Sequence, residues 1–265
     1  DHLPKTKKYN PKQRLWYIRA KEVVISSGSI ERPLVFGNND TPGVMLSSAA
    51  KEYLKVYGVL VGKKPLIFTN NDSGYETAIE FKKNGVDPVV LDTRKELKSE
   101  IIDEAKKLNI QIKFSYVIVA AKGYKKVKSA EVAKISDDKK KLGALENINC
   151  DCICVSGFWT PTIHLASQSG NKTTFNKDID AFVPGLSKQN ETTLGAANGT
   201  FTLEETLKKS FESGYELSKK ITKNENKTST PTVMEKKSTT HDKFWCVPLP
   251  KDKTYKRFLD FQNDV

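Results

Sequence analysis

The stretch KEVVISSGSIERP, residues 21–33, decides how the rest of the chain is interpreted. A polar pair at 21–22 leads into three β-branched residues at 23–25, which is typical of a strand buried on both faces. The run stops at Ser-Ser-Gly, where Gly28 can adopt a positive φ and small neighbours leave room for a ligand. The pattern predicts a strand of a nucleotide-binding sheet followed by a ligand-facing turn.

The same design recurs downstream. CICVSG at residues 152–157 is again a short apolar run that ends in Ser-Gly, and a third small-residue turn, GAANG, follows at 195–199. We therefore expect a chain that leaves one sheet, builds a separate unit and returns. The turns that contain Gly28, Gly157 and Gly195 would then be neighbouring edges of one shared sheet.

A compact βαβ unit lies between the first two turns. Its strand, turn, helix and second strand are predicted at 65–68, 69–74, 75–83 and 88–91. The turn TNNDSG keeps only the last glycine of the G-x-G-x-x-G fingerprint, and Asp72 would repel a phosphate at the helix start. We expect a Rossmann-shaped unit without a bound dinucleotide. Asp92 stands where a ribose-binding acid would, and equally where a strand-end turn residue would.

The elements after this unit continue the same pattern. An apolar stripe predicts a helix over 94–108, and β-like runs follow at 110–114, 116–121 and 126–135, with a hairpin turn at 122–124. This order of β-α-β-α-β and then a meander is the usual anatomy of an inserted nucleotide-binding domain in flavoproteins with two dinucleotide domains.

A helix over 203–221 is predicted after the third turn. Thr202 and Glu205 form a capping box, and the residues at 203, 207, 211 and 215 or 217 are expected to face inward. The helix start beside a glycine-rich loop suits a phosphate or the edge of a flavin or nicotinamide. A plain capped helix after a loop is the other interpretation.

The net charge by itself excludes few classes of function. The net charge is +12, but only five of the 44 basic residues are arginine, and the lysines are scattered. Clustered arginine is what base readout and phosphate clamps favour, so we expect no nucleic-acid binding.

Composition also bears on compartment and metals. No apolar run approaches the roughly 20 residues of a membrane span, and the polar start does not predict a signal peptide. Four cysteines fit a reducing compartment, so we expect a cytoplasmic protein with no membrane contact. Cys150, Cys152 and Cys154 alternate along one strand about 6.5 to 7 Å apart, too far for one tetrahedral ion, so we expect no metal site.

The predicted fold class is α/β: an incomplete FAD/NAD(P)-binding domain of the glutathione and thioredoxin reductase type, an inserted Rossmann-like βαβ domain and a C-terminal linker. The predicted ranges are part of the first dinucleotide-binding domain at 1–60, the insert at 61–148, the return at 149–221, a polar linker at 222–243 and a docking segment or truncated following domain at 244–265.

Several strings together carry a resemblance that covers nearly the whole chain in the correct order. They are RPLVF at 32–36, NDTPGVM at 39–45, FTNNDS at 68–73, VSGFWTPT at 155–162 with HL at 164–165, QSG at 168–170, GAANG at 195–199 and DFQNDV at 260–265. In these strings the chain resembles the middle of the alpha subunit of heterotetrameric sarcosine oxidases.

The resemblance implies an oxidoreductase that acts on the CH–NH bond of an amine. Such enzymes demethylate sarcosine to glycine and hydrogen peroxide and, with tetrahydrofolate, give methylene-tetrahydrofolate. The beta subunit carries FAD, FMN lies at the alpha–beta interface, gamma and delta subunits complete the complex, and folate binds in another domain of alpha. The resemblance implies NAD in this region, at Ser27, Gly28, Ser29, Gly195, Ala196 and Asn198.

Two departures qualify what the resemblance implies. The strand with an intact G-x-G-x-x-G and the folate domain are both absent, so we expect a fragment that is inactive alone and has no catalytic residues. Two alternatives stay open: an alpha-type subunit of a related proline, opine or cyanide-forming dehydrogenase, and a ligand-free Rossmann-like scaffold.

Overall fold

A computed structural model describes residues 13–223, 229–233 and 241–259. The strands are β1 (Val23–Ile25), β2 (Ser29–Glu31), β3 (Val44–Leu46), β4 (Pro65–Thr69), β5 (Val89–Asp92), β6 (Gln111–Phe114), β7 (Tyr116–Gly123), β8 (Val127–Ile135), β9 (Leu142–Asn149), β10 (Cys152–Ser156), β11 (Trp159–Pro161), β12 (Thr173–Asn176), β13 (Ala181–Pro184) and β14 (Glu191–Thr193). The helices are α1 (Ser47–Tyr57), α2 (Ser73–Lys83), α3 (Glu100–Lys107), α4 (His164–Gln168) and α5 (Leu203–Thr222), with a 3-10 turn at Gly195–Asn198.

The largest sheet has five parallel strands in the order β3-β10-β4-β5-β6. Strands β4 and β10 lie in its middle, and every residue of both is buried. Continuous apolar runs are what parallel strands covered on both faces require. The sequence PLIFT and CICVS therefore form central strands.

Two layers cover this sheet. Helices α1, α2 and α3 pack on one face around the buried Tyr75, Phe81 and Ile102. The antiparallel meander β7-β8-β9 packs on the other face, around Leu66, Phe68 and the apolar side chains of β7 and β8. The predicted succession of β-α-β-α-β and meander is present, but the hairpin turn between β7 and β8 lies at 124–126, two residues later than the predicted 122–124.

The prediction of one shared sheet for the three glycine turns is wrong. Strand β10, which ends before Gly157, lies between β3 and β4 in the five-stranded sheet, in register Ile153↔Val44 and Ile153↔Leu66. A fully buried strand also needs hydrogen-bond partners for the backbone along both of its edges, and β3 and β4 supply them. The strands before Gly28 and Gly195 pair with each other instead.

The remaining strands form three pairs: β1 with β14 in parallel, and β2 with β11 and β12 with β13 antiparallel. Val23 and Val24 of β1 are 46% and 47% exposed, so the prediction that this run is buried on both faces holds only for Ile25. The face that these valines present has no cover among the described residues. Helix α5 likewise buries none of its residues, and Leu203, predicted to face inward, is exposed.

Two further sequence predictions differ from the structure. Helix α3 begins at Glu100 and not at 94, because the backbone and guanidinium of Arg94 bind the carboxylate of Asp92 and hold this part of the chain in a loop. The run 15–18, which together with 23–25 predicts one strand after another or one bent ribbon, forms no strand and is exposed. Strand β9 was not predicted, since LGALENIN is largely exposed and has weak alternation.

The chain after α5 is described only in part. The predicted linker at 222–243 and the last string of the resemblance, 260–265, fall wholly or partly outside the described residues, as do residues 1–12. Residues 241–259 pack against the five-stranded sheet and the meander, and Phe244 and Val247 enter their shared core. Within the described residues, no helix is long and apolar enough to cross a membrane.

Candidate functional site

The turn after β1 and the turn after β14 lie side by side. Parallel pairing sets Ile25 opposite Thr193, and the amide of Leu194 donates to the carbonyl of Ile25 at 2.9 Å. The residues that follow, Gly28 on one strand and Gly195 on the other, therefore leave the same end of the strand pair. We call this surface the shelf and define it as residues 27–29 and 195–198.

The shelf is open. Gly28 and Gly195 have φ values of 77° and 67°, a region that favours glycine. A Cβ on Gly28 would meet no atom within 4 Å, and one on Gly195 would meet only a methyl of Thr206 at 3.5 Å. Ser27 and Asn198 are exposed. Space beside both turns is thus available to a ligand.

Helix α5 does not begin at the shelf. Residues 199–202 separate the 3-10 turn of the shelf from the helix, and Thr202 caps the helix by accepting the amide of Glu205 at 3.3 Å, which confirms one half of the predicted capping box. Glu204 and Glu205 place two carboxylates in the first helical turn. Because like charges repel, these carboxylates disfavour a phosphate there, and the plain capped helix is the better interpretation.

The shelf residues fit one side of an extended, partly polar ligand such as a dinucleotide. Small residues allow backbone approach, and the Ser27 hydroxyl, which donates to the carbonyl of Thr162 at 2.7 Å, keeps acceptor capacity. No anion-binding helix start or basic side chain belongs to the shelf itself. The β1–β14 pairing places the six predicted NAD residues in two turns at the same end of this strand pair.

The second Rossmann-type turn, between β4 and α2, is built differently. Asn71 stands where the fingerprint has its second glycine, and its Oδ1 accepts the amide of Ser73 at 2.8 Å. Its Nδ2 donates to Asn70 Oδ1 at 2.9 Å and to the carbonyl and hydroxyl of Ser156 at 3.1 Å. The first-turn amide that a pyrophosphate would take is already bound to a side chain of the same loop.

Asp92 is also occupied. Its carboxylate is 0% exposed and accepts Arg94 Nε at 3.0 Å, Arg94 Nη2 at 2.8 Å and the Tyr75 hydroxyl at 2.7 Å. Arg94 Nη1 also donates to Asp72 at 2.8 Å, and Ser99 Oγ donates to the same carboxylate at 2.9 Å. Of the two open interpretations of Asp92, the structural one fits this network.

The network shifts the pKa values of its members. Burial by itself would lower the pKa of Arg94, but hydrogen bonds and charge from Asp92 and Asp72 outweigh it and raise that pKa. Burial, and then the charge of Asp92, raises the pKa of Tyr75. Arg94 is therefore a fixed cation that neutralises two carboxylates inside the structure.

The last glycine of the fingerprint keeps its packing role. A Cβ on Gly74 would meet Thr69 Cβ at 2.6 Å, so only glycine lets α2 approach β4 this closely. This is the helix–strand contact that the third fingerprint glycine serves in dinucleotide folds. The unit keeps the Rossmann shape while its phosphate-facing positions carry Asn71 and Asp72.

A cleft of about 760 Å³ runs beside α2 and α3. Its lining includes six carboxylate side chains and four lysines: Asp72, Glu76, Glu80, Glu100, Asp103, Glu104, Lys51, Lys55, Lys83 and Lys98. Excess carboxylate next to the α2 start again opposes a pyrophosphate. The residues of this unit therefore do not fit a bound dinucleotide.

Sequence reasoning missed Glu31, which connects the end of strand β2 to the start of helix α1. One carboxylate oxygen accepts the amide of Ser48 at the start of α1, at 2.7 Å, and Oε1 is buried and has no hydrogen-bond partner in the part of the chain that the structure describes. Burial raises the pKa of this carboxyl group. Its neighbour Arg32 donates to the carbonyl of Gly157 at 3.0 Å. The string ERP indicates only a turn-rich segment, and nothing in the neighbouring sequence predicts a buried acid.

The three alternating cysteines are buried free thiols. Burial raises the pKa of Cys150 to about 12, so this thiol is protonated at neutral pH. Protonated thiols are poor metal ligands, and within the described residues no group of three or more His, Cys, Asp or Glu side chains could hold a metal.

Solved structures with a similar fold define the class first. The model superposes on thioredoxin reductase from Lactococcus lactis with a TM-score of 0.53 and 15% identity, over 69% of this chain and 59% of that one. The flavoprotein disulfide reductase RclA from Escherichia coli gives 0.54 and 13% identity, over 76% and 44%. These likenesses show the fold alone, and they confirm the predicted FAD/NAD(P)-binding, disulfide-reductase-like class.

Sequence relatives then narrow the class. The chain is 33% identical over 277 aligned positions to sarcosine oxidase subunit alpha of Rhizobium meliloti strain 1021, which covers 100% of this chain and 25% of that protein. It is 34% identical over 192 residues to the same subunit of Corynebacterium sp. strain P-1, covering 72% and 20%. No family model matches the chain. The predicted resemblance is confirmed: the chain is similar to one part of sarcosine oxidase alpha subunits and spans about a quarter or less of their length.

Proposed function

We propose that this chain is the nucleotide-binding region of an amine-oxidising enzyme of the sarcosine oxidase type, and that NAD binds on the shelf. The observation that carries the proposal is the β1–β14 register, Ile25↔Thr193, which brings the two predicted turns to one end of a parallel strand pair. Ligands of open α/β sheets bind beyond the carboxyl ends of parallel strands.

Each shelf residue has a role in this proposal. Gly28 and Gly195, with positive φ and open space, let backbone approach the dinucleotide. Ser27 and Asn198 offer an exposed hydroxyl and amide for polar contacts, while Ser29 and Ala196 keep the surface shallow. When bound, NAD carries a nicotinamide ring that exchanges hydride. This chain's part is to hold and orient the dinucleotide.

The chemistry on the amine belongs elsewhere in this proposal. Among the described residues, no acid or base flanks the shelf in an arrangement that could move a substrate proton. We therefore assign the oxidation of sarcosine to glycine, hydrogen peroxide and methylene-tetrahydrofolate to a complex with beta, gamma and delta subunits, with FAD, FMN and tetrahydrofolate bound outside this chain. The free thiols support a cytoplasmic location.

A second function is supported for one unit only. The side-chain bonds of Asn71 and Asp92 favour the ligand-free scaffold for the βαβ unit, and they say nothing against the shelf. A related proline, opine or cyanide-forming dehydrogenase stays the alternative for the whole protein. The first alternative concerns the βαβ unit and the second concerns the whole protein, so both can be tested beside the main proposal.

Calorimetric titration of the full-length protein with NAD tests the shelf. Ser27→Asp places a carboxylate on the shelf and should weaken NAD binding at least about tenfold by repelling the pyrophosphate. Ser26→Asp, at the exposed residue next to it, is the matched control and should bind as the native protein does. Native affinity in Ser27→Asp, or no binding by the native protein, would remove the shelf proposal.

Amine specificity needs a separate assay. The full-length protein, purified with its partner subunits, should consume oxygen and release peroxide with sarcosine faster than with proline or an opine. The 265-residue chain alone should give no turnover. Preference for proline or an opine would favour the alternative enzyme and leave the NAD result unaffected.

A further inference from the structure

Residues 241–247 run across the carboxyl edge of the five-stranded sheet. His241 stacks on Phe158 just after β10, with ring centroids 3.8 Å apart and planes 7° from parallel, and forms a bridge to Asn71 after β4. Asp242 then reaches Thr93 after β5. The segment thus passes over the ends of β10, β4 and β5, which is where an open α/β sheet binds its ligand.

Asn70 ties this segment down with both its backbone and its side chain. Its carbonyl accepts the amide of Asp242 at 2.9 Å, and its Nδ2 donates to the carbonyls of Asp242 and Phe244, each at 2.9 Å. Asn70 is 1% exposed. A buried asparagine that makes one backbone and two side-chain hydrogen bonds to one segment is arranged for a peptide backbone, whose donors and acceptors alternate in the same way.

The Asp242 side chain occupies a polar position at the same edge. Its Oδ2 accepts the Thr93 hydroxyl at 3.2 Å and lies 3.0 Å from Lys139 Nζ, and the same ammonium donates to the carbonyl of Thr93. We call the edge of the sheet beyond the ends of β10, β4 and β5 the crevice. Among the described residues, the carboxylate that binds the Thr93 hydroxyl and the Lys139 ammonium there is that of Asp242. A hydroxyl and an ammonium are the groups that would otherwise receive a ligand anion.

The following residues fix the segment from the other side. The amide of Val35 donates to the carbonyl of Trp245 at 2.8 Å, and Val247 donates to the carbonyl of Val35 at 2.9 Å. Phe244 and Val247 are 7% and 1% exposed in the core between sheet and meander. Burial of two such apolar side chains favours the docked position of the segment.

We propose that the crevice of the second Rossmann-like unit is a docking site for residues 241–247 of this chain and binds no dinucleotide. Peptide bonds, the Asp242 carboxylate and Phe244 take the edge of the sheet that a nucleotide would need, while Asn71 and Arg94 fill the loop beneath. The unit thereby anchors the chain downstream of α5 to the sheet. This inference does not depend on NAD binding at the shelf.

Hydrogen–deuterium exchange of the full-length protein, with and without saturating NAD, tests the docking. The amides of Asp242 and Val247 should exchange slowly without NAD, and NAD should change exchange neither there nor at 69–74. Fast exchange of 241–247 in the free protein, or a change at either segment on adding NAD, would overturn the inference. Loss of the shelf signal alone, at 26–29 and 195–199, would count only against the proposed function.

A variant pair separates docking from general stability. Asn70→Ala removes two side-chain hydrogen bonds to the segment and should speed exchange at 241–247 by about tenfold or more. Asn84→Ala is the control, because its amide bonds only to Glu80 of its own helix. It should leave the segment unchanged. Equal exchange of 241–247 in the two variants would contradict the docking role of Asn70.

Discussion

The shelf and the crevice are two versions of the same strand–turn design within one chain, and they differ in what their side chains do. At the shelf, small residues follow β1 and β14 and leave open space beside Gly28 and Gly195. At the crevice, the turn after β4 carries Asn70 and Asn71, which are buried and fully engaged. If the proposed assignments of the two sites hold, a Rossmann-like backbone is insufficient for nucleotide binding, and the turn must also leave its amides and its space free.

The difference also explains the stability expected of each region. The crevice combines a buried ion network with a docked segment, so its residues support each other and the loss of one is costly. The shelf rests on a two-stranded sheet with half-exposed valines, and space is open beside Gly28 and Gly195. Substitutions should therefore affect folding at the crevice and ligand binding at the shelf.

Arg94→Ala should have the largest effect on stability. It leaves Asp92 charged, buried and without its cation, which costs about 3–5 kcal/mol in the free energy of unfolding. Urea denaturation of the full-length protein measures this. Lys95→Ala, which removes an exposed pair with Asp137, is the control and should cost about 0.5 kcal/mol or less. Similar costs for the two variants would mean that the network does not stabilise the crevice.

A glycine pair compares the two turns directly. Gly74→Ala forces a Cβ to within 2.6 Å of Thr69 and should destabilise the protein by about 1–3 kcal/mol through overpacking. Gly28→Ala meets no neighbour and should cost only about 1–2 kcal/mol for its positive φ. Thermal unfolding ranks the two. A smaller loss for Gly74→Ala would contradict close packing of α2 on β4.

Glu31→Gln tests how the buried carboxyl group between β2 and α1 makes stability depend on pH. The folded-state pKa of Glu31 is raised above its ordinary 4.5 by burial, so the contribution of this group to stability is fully present below about pH 4.5 and is lost as the pH rises through the raised value. The glutamine variant avoids burying a charge and should be more stable than the native protein by about 1 kcal/mol at pH 8. The difference should shrink toward pH 4. A constant difference across this range would show that Glu31 does not titrate with folding.

Much of the fold could be predicted because its signals are local. The apolar runs at β4 and β10, the periodic helix α2 and the hairpin after β7 depend on patterns within ten residues. Strand membership could not be read this way: β10 looks the same whether it joins β1 or β4, and its neighbours are set by the packing of distant elements. The strand β9 gave no signal because LGALENIN is largely exposed and alternates only weakly.

The candidate sites divide along the same line. The degraded TNNDSG turn predicts a unit without a bound dinucleotide, since the missing glycines and Asp72 are visible in the sequence, and this stays a prediction. The partners of Asp92 and Asn70 could not be predicted. Whether Arg94 donates to Asp92 depends on the conformation of its side chain, and Asp242 lies 172 residues after Asn70. Long-range polar contacts leave no periodic pattern.

A structure of the full-length protein determined with NAD is the most direct test of the account. It should show the dinucleotide beside Gly28 and Gly195, with Asp242 still bound to Asn70 at the edge of the five-stranded sheet. A dinucleotide lying over the ends of β4 and β5, with residues 241–247 displaced, would contradict it.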